Sequence, residues 1–232
     1  MTGLAWWDLA RRAALMDAMS MDEPALAVQA ALFAGMWTIM MTAMMFPSVA
    51  PMLFGFSTVH ANRRSRGAAS VPVWVFLAGY LTVWAASGLP GFVLSEGIDA
   101  LARAFPSVGR YGGVAGGLVL GAAGLYQLSR LKYACLSHCR SPMSFILNDW
   151  RDGYVGAFRM GLHHGWYCLG CCWLLMATMF ALGLMNLAWM GLLALIIFAE
   201  KLVPRAQLVS RGSGVAMMAA GAGLVVATGL GA

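Results

Sequence analysis

The sequence predicts an all-α fold, a polytopic bundle of about six membrane-spanning helices. Of its 232 residues, 61% are hydrophobic and only 10% are charged, whereas a soluble domain carries about 25% charged residues. A membrane span needs about 20 apolar residues, and the chain contains six segments that approach this length. The connections between them are short and no internal repeat is visible. These observations exclude an ordinary soluble domain.

The six predicted spans divide the chain almost completely. Residues 1–24 precede them and are expected to form an interfacial segment, with Trp6 and Trp7 at the level of the lipid headgroups. Residues 25–232 are expected to form a single transmembrane domain. Pro47 should kink or end the first helix near its distal end, as should Pro51. The predicted spans are 27–57, 72–94, 111–129, 156–182, 184–200 and 213–231.

The basic residues predict the orientation of the chain. Eleven of the 15 Lys and Arg residues lie in the connections 58–71, 130–159 and 201–212. Because basic connections stay on the cytoplasmic side, these three are predicted to face the cytoplasm, with both termini outside. The formal net charge of +6 is therefore attributed to membrane insertion, and no nucleic-acid partner is expected.

Two features are assigned to packing and the membrane surface. In GGVAGGLVLGAAG (112–124), Gly113, Gly117 and Gly121 recur every four residues, a spacing that lets a neighbouring helix approach closely. Glu200 and Lys201 end the fifth span and are predicted to pair at the membrane interface. The alternative for Glu200 is a carboxylate beside a cation path.

The fourth span contains the most reactive side chains, in GLHHGWYCLGCCWLLM (161–176). At 100° per residue, one face of about 100° carries His164, Cys168, Cys171 and Cys172, whereas His163 points elsewhere. His164 and Cys172 are separated by about 12 Å along the helix axis, so all four cannot bind one ion. Neighbouring members of the face can share an ion, with the remaining ligands supplied by other helices. The alternative is that the cysteines are small apolar residues in a packed core.

Two further segments supply candidate metal ligands near the same side of the membrane. The second cytoplasmic connection contains YACLSHCRSP (133–142), and the first span contains MWTIMMTAMMFP (36–47). Thiolate and thioether groups favour soft ions, above all Cu(I), with Zn(II) second where imidazole joins them. Methionine is also a common apolar filler, so the methionines alone predict little. The candidate ligands are Cys135, His138, Cys139, Met40, Met41, Met44 and Met45, together with His163, His164, Cys168, Cys171 and Cys172.

Three blocks of the sequence resemble a bacterial family of integral membrane proteins described as predicted metal-binding. The blocks are MMTAMMFP (40–47), CLSHCRSP (135–142) and GLHHGWYCLGCCWLLM (161–176). The resemblance implies a bacterial inner-membrane location. It also implies a metal site that includes Cys135, Cys139, Cys168, Cys171 and Cys172, and to a lesser degree the methionine block. It names neither a metal nor a reaction.

The sequence thus favours a copper-handling membrane protein that captures Cu(I) and then transports it or delivers it to a client. Its expected partners are the lipid bilayer, the metal ion and a metallochaperone or client membrane protein, and a homo-oligomer is left open. One alternative is a structural or assembly subunit clamped by a metal ion. Another is a membrane thiol–disulfide oxidoreductase that uses CLGC (168–171). A non-enzymatic role is favoured.

Overall fold

The computed structural model of the chain describes residues 25–67, 70–105, 111–183 and 186–229, and these residues form helices and short connections with no strand. The all-α prediction is confirmed. The predicted interfacial segment 1–24 lies outside the described residues. The helices are α1 (Leu26–Ser65), α2 (Val73–Ala86), α3 (Gly88–Ala104), α4 (Gly112–Gln127), α5 (Arg130–Arg140), α6 (Pro142–Asp149), α7 (Gly153–Leu182), α8 (Leu187–Leu202) and α9 (Ala206–Gly229).

Four helical segments of the described chain are long and apolar enough to cross a membrane, namely Leu26–Ser65, Val73–Ala104, Gly153–Leu182 and Ala206–Gly229. Helices α4 and α8 have 16 residues each, about 24 Å at 1.5 Å per residue. The hydrocarbon core of a bilayer is about 30 Å thick. The prediction of about six spans is therefore not confirmed.

Two connections differ from their predicted form. Helix α1 runs through Pro47 and Pro51 and continues to Ser65, because a long apolar helix stabilised by packing tolerates a missing backbone hydrogen bond. The segment 133–142, predicted as a loop, lies in α5 and at the start of α6. Pro142 occupies the first turn of α6, where its missing N–H costs nothing.

The described chain forms two compact units. The first consists of the described residues within Met1–Leu89 and Ala134–Cys171, and the second of those within Pro90–Tyr133 and Cys172–Ala232. A single domain over 25–232 stays a prediction.

In the first unit, α1 and α2 pack antiparallel through aromatic side chains. Near one end, the Trp37 indole N–H donates to the Trp84 carbonyl oxygen at 3.2 Å. Toward the other end, the rings of Phe56 and Phe76 lie 5.1 Å apart. Burying these rings stabilises the pair, and bonding the indole N–H removes the cost of leaving it unpaired.

Glycines bring α2 and α7 into backbone contact within the first unit. A Cβ on Gly161 would collide with the Phe76 carbonyl oxygen, and one on Gly79 with the Phe158 carbonyl oxygen. A Cβ on Gly165 would lie 3.0 Å from the Val83 side chain. The pattern shows that α2 and α7 run parallel. The contact could not be predicted from the sequence, because its glycines are divided between two helices.

Replacing Gly161 with alanine is expected to destabilise the protein by about 1–3 kcal/mol, because the new methyl group forces the two backbones apart. The matched control is Gly121→Ala, since a Cβ there meets open space and alanine is the better helix former. Thermal unfolding in detergent, followed by far-UV circular dichroism, compares the two variants. Equal midpoints would contradict the close contact.

In the second unit, α4 and α9 pack through the predicted glycine face. A Cβ on Gly117 would lie 2.6 Å from the Gly221 carbonyl oxygen, and one on Gly113 would collide with the Thr228 side chain. The place expected for Gly121 is taken by Gly124, whose Cβ would meet the Gly214 carbonyl oxygen at 2.6 Å. The glycine face is thus confirmed as a packing surface.

The second unit also buries an ion pair that differs from the predicted one. Glu200 was predicted to pair with Lys201 at an interface. Instead its carboxylate accepts from the Lys132 ammonium at 2.7 and 2.9 Å, with side chains 2% and 0% exposed. Gln127 donates to the same carboxylate at 2.9 Å and also to the Ser213 hydroxyl. The partner of Glu200 could not be found by proximity in sequence, because Lys132 is 68 residues away.

Candidate functional site

The predicted ligand face of α7 is buried. The exposed fractions are 1% for His164, 0% for Cys168, 2% for Cys171 and 0% for Cys172. His163, the next residue along the helix from His164, is exposed. The helical periodicity therefore separates the two adjacent histidines between the interior and the surface, as predicted.

Tyr80 of α2 adds a hydroxyl group to this face. Its oxygen lies 3.1 Å from the Cys168 sulfur, and its ring lies 5.8 Å from the His164 ring. The ring centroids of Phe76 and Phe145 lie 5.9 and 5.3 Å from the centroid of the same imidazole. Tyr80 is not among the predicted site residues, although a tyrosine within an apolar helix indicates a buried hydroxyl that needs a polar partner.

Helix α5 contributes a further thiol, Cys135, which lies against α7. The Cys135 sulfur lies 3.0 Å from the place where a Cβ of Gly170 would stand, so glycine leaves room for the sulfur atom. Burial raises the pKa of the Cys135 thiol, and the neighbouring Cys171 raises the same pKa further. Cys171 itself donates to the Cys168 carbonyl oxygen at 3.1 Å. These cysteines are thiols in the structure, and none forms a disulfide.

The two remaining candidates on α5 lie on different sides of that helix. The His138 ring is exposed and stacks on Tyr167 with centroids 4.2 Å apart and an interplanar angle of 8°. One of its ring nitrogens, Nδ1, lies 2.9 Å from the Ala134 carbonyl oxygen. Cys139 is 7% exposed. The pairs His138–Tyr167 and Cys135–Gly170 show that α5 runs antiparallel to α7.

His163 is paired on the surface of the first unit. Its Nδ1 lies 3.2 Å from an Asp149 carboxylate oxygen, and the two side chains are 46% and 27% exposed. The ring also contacts Tyr167 and Phe145. The structure therefore gives His163 a carboxylate partner. It does not place His163 with the cysteines Cys135, Cys168 and Cys171, which are called the thiol group below.

The methionine block of α1 is fully buried. The exposed fractions of Met40, Met41, Met44 and Met45 are 0%, 0%, 1% and 0%. On α1 the block lies between Trp37 and Phe56, which contact α2 at Trp84 and Phe76. Tyr80 occupies the corresponding interval of α2. The four thioethers therefore lie at about the same level of the first unit as the contact between Tyr80 and Cys168.

The described residues contain no group of three or more His, Cys, Asp and Glu side chains arranged to hold a metal ion. The structure places Cys135 near Cys171, and Cys171 contacts the backbone of Cys168. A soft monovalent ion can bind two sulfur ligands, and methionine thioethers are further soft ligands for Cu(I). Cys172 is equally buried but begins the second unit.

Fold and site together define a helical protein with cysteine and methionine side chains buried between apolar helices. A family model described as PpoB2, copper chaperone, matches residues 34–224. The chain belongs to this copper chaperone family. The matched region includes every candidate ligand. Comparisons with curated proteins and with solved structures found no match.

Proposed function

We propose that this protein is a membrane-integral copper carrier that binds Cu(I) through cysteine sulfur and passes it to a client. Membership of the copper chaperone family supports the choice of copper. The observation that carries the proposal is the placement of the Cys135 thiol of α5 against α7 at Gly170, next to Cys171. Thiolates from two helices offer Cu(I) a low-coordinate site that excludes harder ions.

The candidate residues play different roles in this proposal. Cys168 and Cys171 are three positions apart on one helix, so both can face one ion, and Cys171 also lies near Cys135. The methionine block supplies a neighbouring thioether site at the same level of the first unit. Tyr80 holds the Cys168 sulfur through its hydroxyl group. His164 lies beside Cys168, since both contact Tyr80, and the buried Cys139 and Cys172 are further candidate ligands.

The His138 ring stacks on Tyr167 outside this group. We assign His138 and His163 to the entry side, where exposed imidazoles meet an incoming ion or its donor. Zn(II) is the second metal that such a mixed set of ligands accepts.

In the proposed membrane arrangement, α4 and α8 join the four membrane-length segments to give six spans. The helix order supports it, because α2 and α7 run parallel and α1 runs antiparallel to α2. The three basic connections then face the cytoplasm, and the thiol group lies in the cytoplasmic half of a bacterial inner membrane. A soluble metallochaperone or a client membrane protein is the expected exchange partner, and residues 25–232 act as one transmembrane domain.

Copper transfer tests the proposal. Detergent-purified protein is loaded with Cu(I) without oxygen, separated from unbound metal, and mixed with an apo acceptor domain that carries a two-cysteine copper site. We expect copper to bind with a stoichiometry of about one per chain and to move to the acceptor faster than it is released to buffer. Parallel loading with Zn(II) is expected to give weaker binding.

Two results would count against delivery. If the protein retains no Cu(I), the proposal of a copper carrier is wrong. Copper that never leaves, together with loss of helical structure when a chelator extracts it, would instead identify a structural metal.

A further inference from the structure

A groove of about 540 Å³ opens on the surface of the first unit. It lies against α7 and is separate from the buried thiol group. Part of its lining is charged and part is apolar. The residues that matter here are Val83, Arg151, Arg159, Leu162, His163 and Trp166.

The charged part of the groove has an excess of positive charge. Asp149 also lines it, but its carboxylate is paired with His163. The other nearby carboxylate, Asp152, pairs with Arg63 at 2.7 Å. Within the described ranges, neither Arg151 nor Arg159 forms an ion pair. Two guanidinium groups are therefore available to an anion.

The lining changes from charged to apolar along the axis of α7. Arg151 precedes the helix and Arg159 lies in its second turn, whereas Trp166 is seven positions further, about 10 Å along the axis. Trp166 is 68% exposed, and Leu162 lies between it and Arg159. In the proposed orientation the arginines are at the cytoplasmic surface, and Trp166 lies deeper in the bilayer.

We infer that this groove binds one anionic phospholipid, with its phosphate between Arg151 and Arg159 and an acyl chain along Leu162, Val83 and Trp166. A free phosphate ion would use only the charged end and leave the apolar end exposed. A phospholipid satisfies both ends, and guanidinium groups recognise phosphate oxygens in pairs. Basic pockets between helices on the cytoplasmic side are typical of such headgroup sites.

The inference rests on the membrane placement in the proposed function but not on copper. The test is native mass spectrometry of the detergent-purified protein incubated with equal amounts of phosphatidylglycerol and phosphatidylcholine. We expect preferential retention of phosphatidylglycerol. The variant Arg151→Gln/Arg159→Gln is expected to lose this preference by about tenfold. The control Arg205→Gln/Arg211→Gln removes the same charge elsewhere and is expected to retain it.

Three outcomes would overturn the inference: equal retention of both lipids, equal losses in the two double variants, or full displacement of phosphatidylglycerol by inorganic phosphate. Copper binding measured on the same samples separates the two proposals. If the protein binds copper but shows no lipid preference, only the lipid-site inference is contradicted. If the protein prefers phosphatidylglycerol but does not bind copper, only the copper-carrier proposal is contradicted. If the protein can be purified in soluble form without detergent, the proposed membrane placement is wrong, and the lipid-site inference fails with it.

Discussion

Replacing Lys132 with methionine is expected to destabilise the protein by about 3–5 kcal/mol. The ammonium group is fully buried and contacts both oxygens of Glu200. Its removal leaves a buried carboxylate with Gln127 as its remaining bonded partner among the described contacts. An uncompensated buried charge costs far more than a lost surface contact.

A second substitution distinguishes loss of charge balance from loss of packing. Lys132→Met/Glu200→Gln removes both charges and retains an oxygen that can accept from Gln127, so we expect it to recover most of the lost free energy. Arg211→Gln, at an exposed position of α9, is the control and should change the free energy of unfolding by less than about 0.5 kcal/mol. Unfolding by sodium dodecyl sulfate in mixed micelles measures all three. If the double variant is as unstable as the single, the charge argument is wrong.

Replacing Cys168 and Cys171 together with serine is expected to weaken Cu(I) binding by more than about 100-fold. Serine conserves the shape of the side chain but offers a hard oxygen in place of a soft sulfur. Loss of a group that only supports a ligand typically costs about 10–100-fold in metal affinity, and direct ligands should cost more. Competition with a chromogenic Cu(I) chelator measures the affinity.

The control for the serine variant is Thr178→Ser, which alters another buried side chain of α7 outside the candidate ligands. We expect its affinity for Cu(I) to equal that of the unaltered protein. Unchanged affinity in the cysteine variant would place the copper site elsewhere and leave the methionine block as the next candidate. Met44→Leu/Met45→Leu would then be compared with Met179→Leu.

The helices could be predicted from the sequence because apolar segments and glycine spacing are local signals. The buried face of α7 followed in the same way, since helical periodicity places His164 and the cysteines together and His163 apart. Copper was favoured from ligand softness alone, and the copper chaperone family agrees with it. The helical form of 133–142 was missed because its mixed polar sequence resembles a loop.

The contacts between helices could not be predicted from these local signals. Tyr80 and Cys168 are separated by 88 residues, and no periodicity links their positions. Lys132 was counted as a basic residue that directs insertion, yet it is buried against Glu200. A charge count reads each residue singly, whereas a buried ion pair is a property of the packing. The same limit hid the glycine contact between α2 and α7.

The complete burial of Cys168 has a chemical consequence for the proposed copper carrier. An ion held there would be shielded from water and from dissolved peroxide, the oxidant with which Cu(I) generates hydroxyl radicals. Cu(II) prefers tetragonal nitrogen and oxygen ligands, and a sulfur-rich apolar interior supplies few of them. Oxidation of the bound ion would therefore be disfavoured by its surroundings. The protein would protect the cell from its cargo while carrying it.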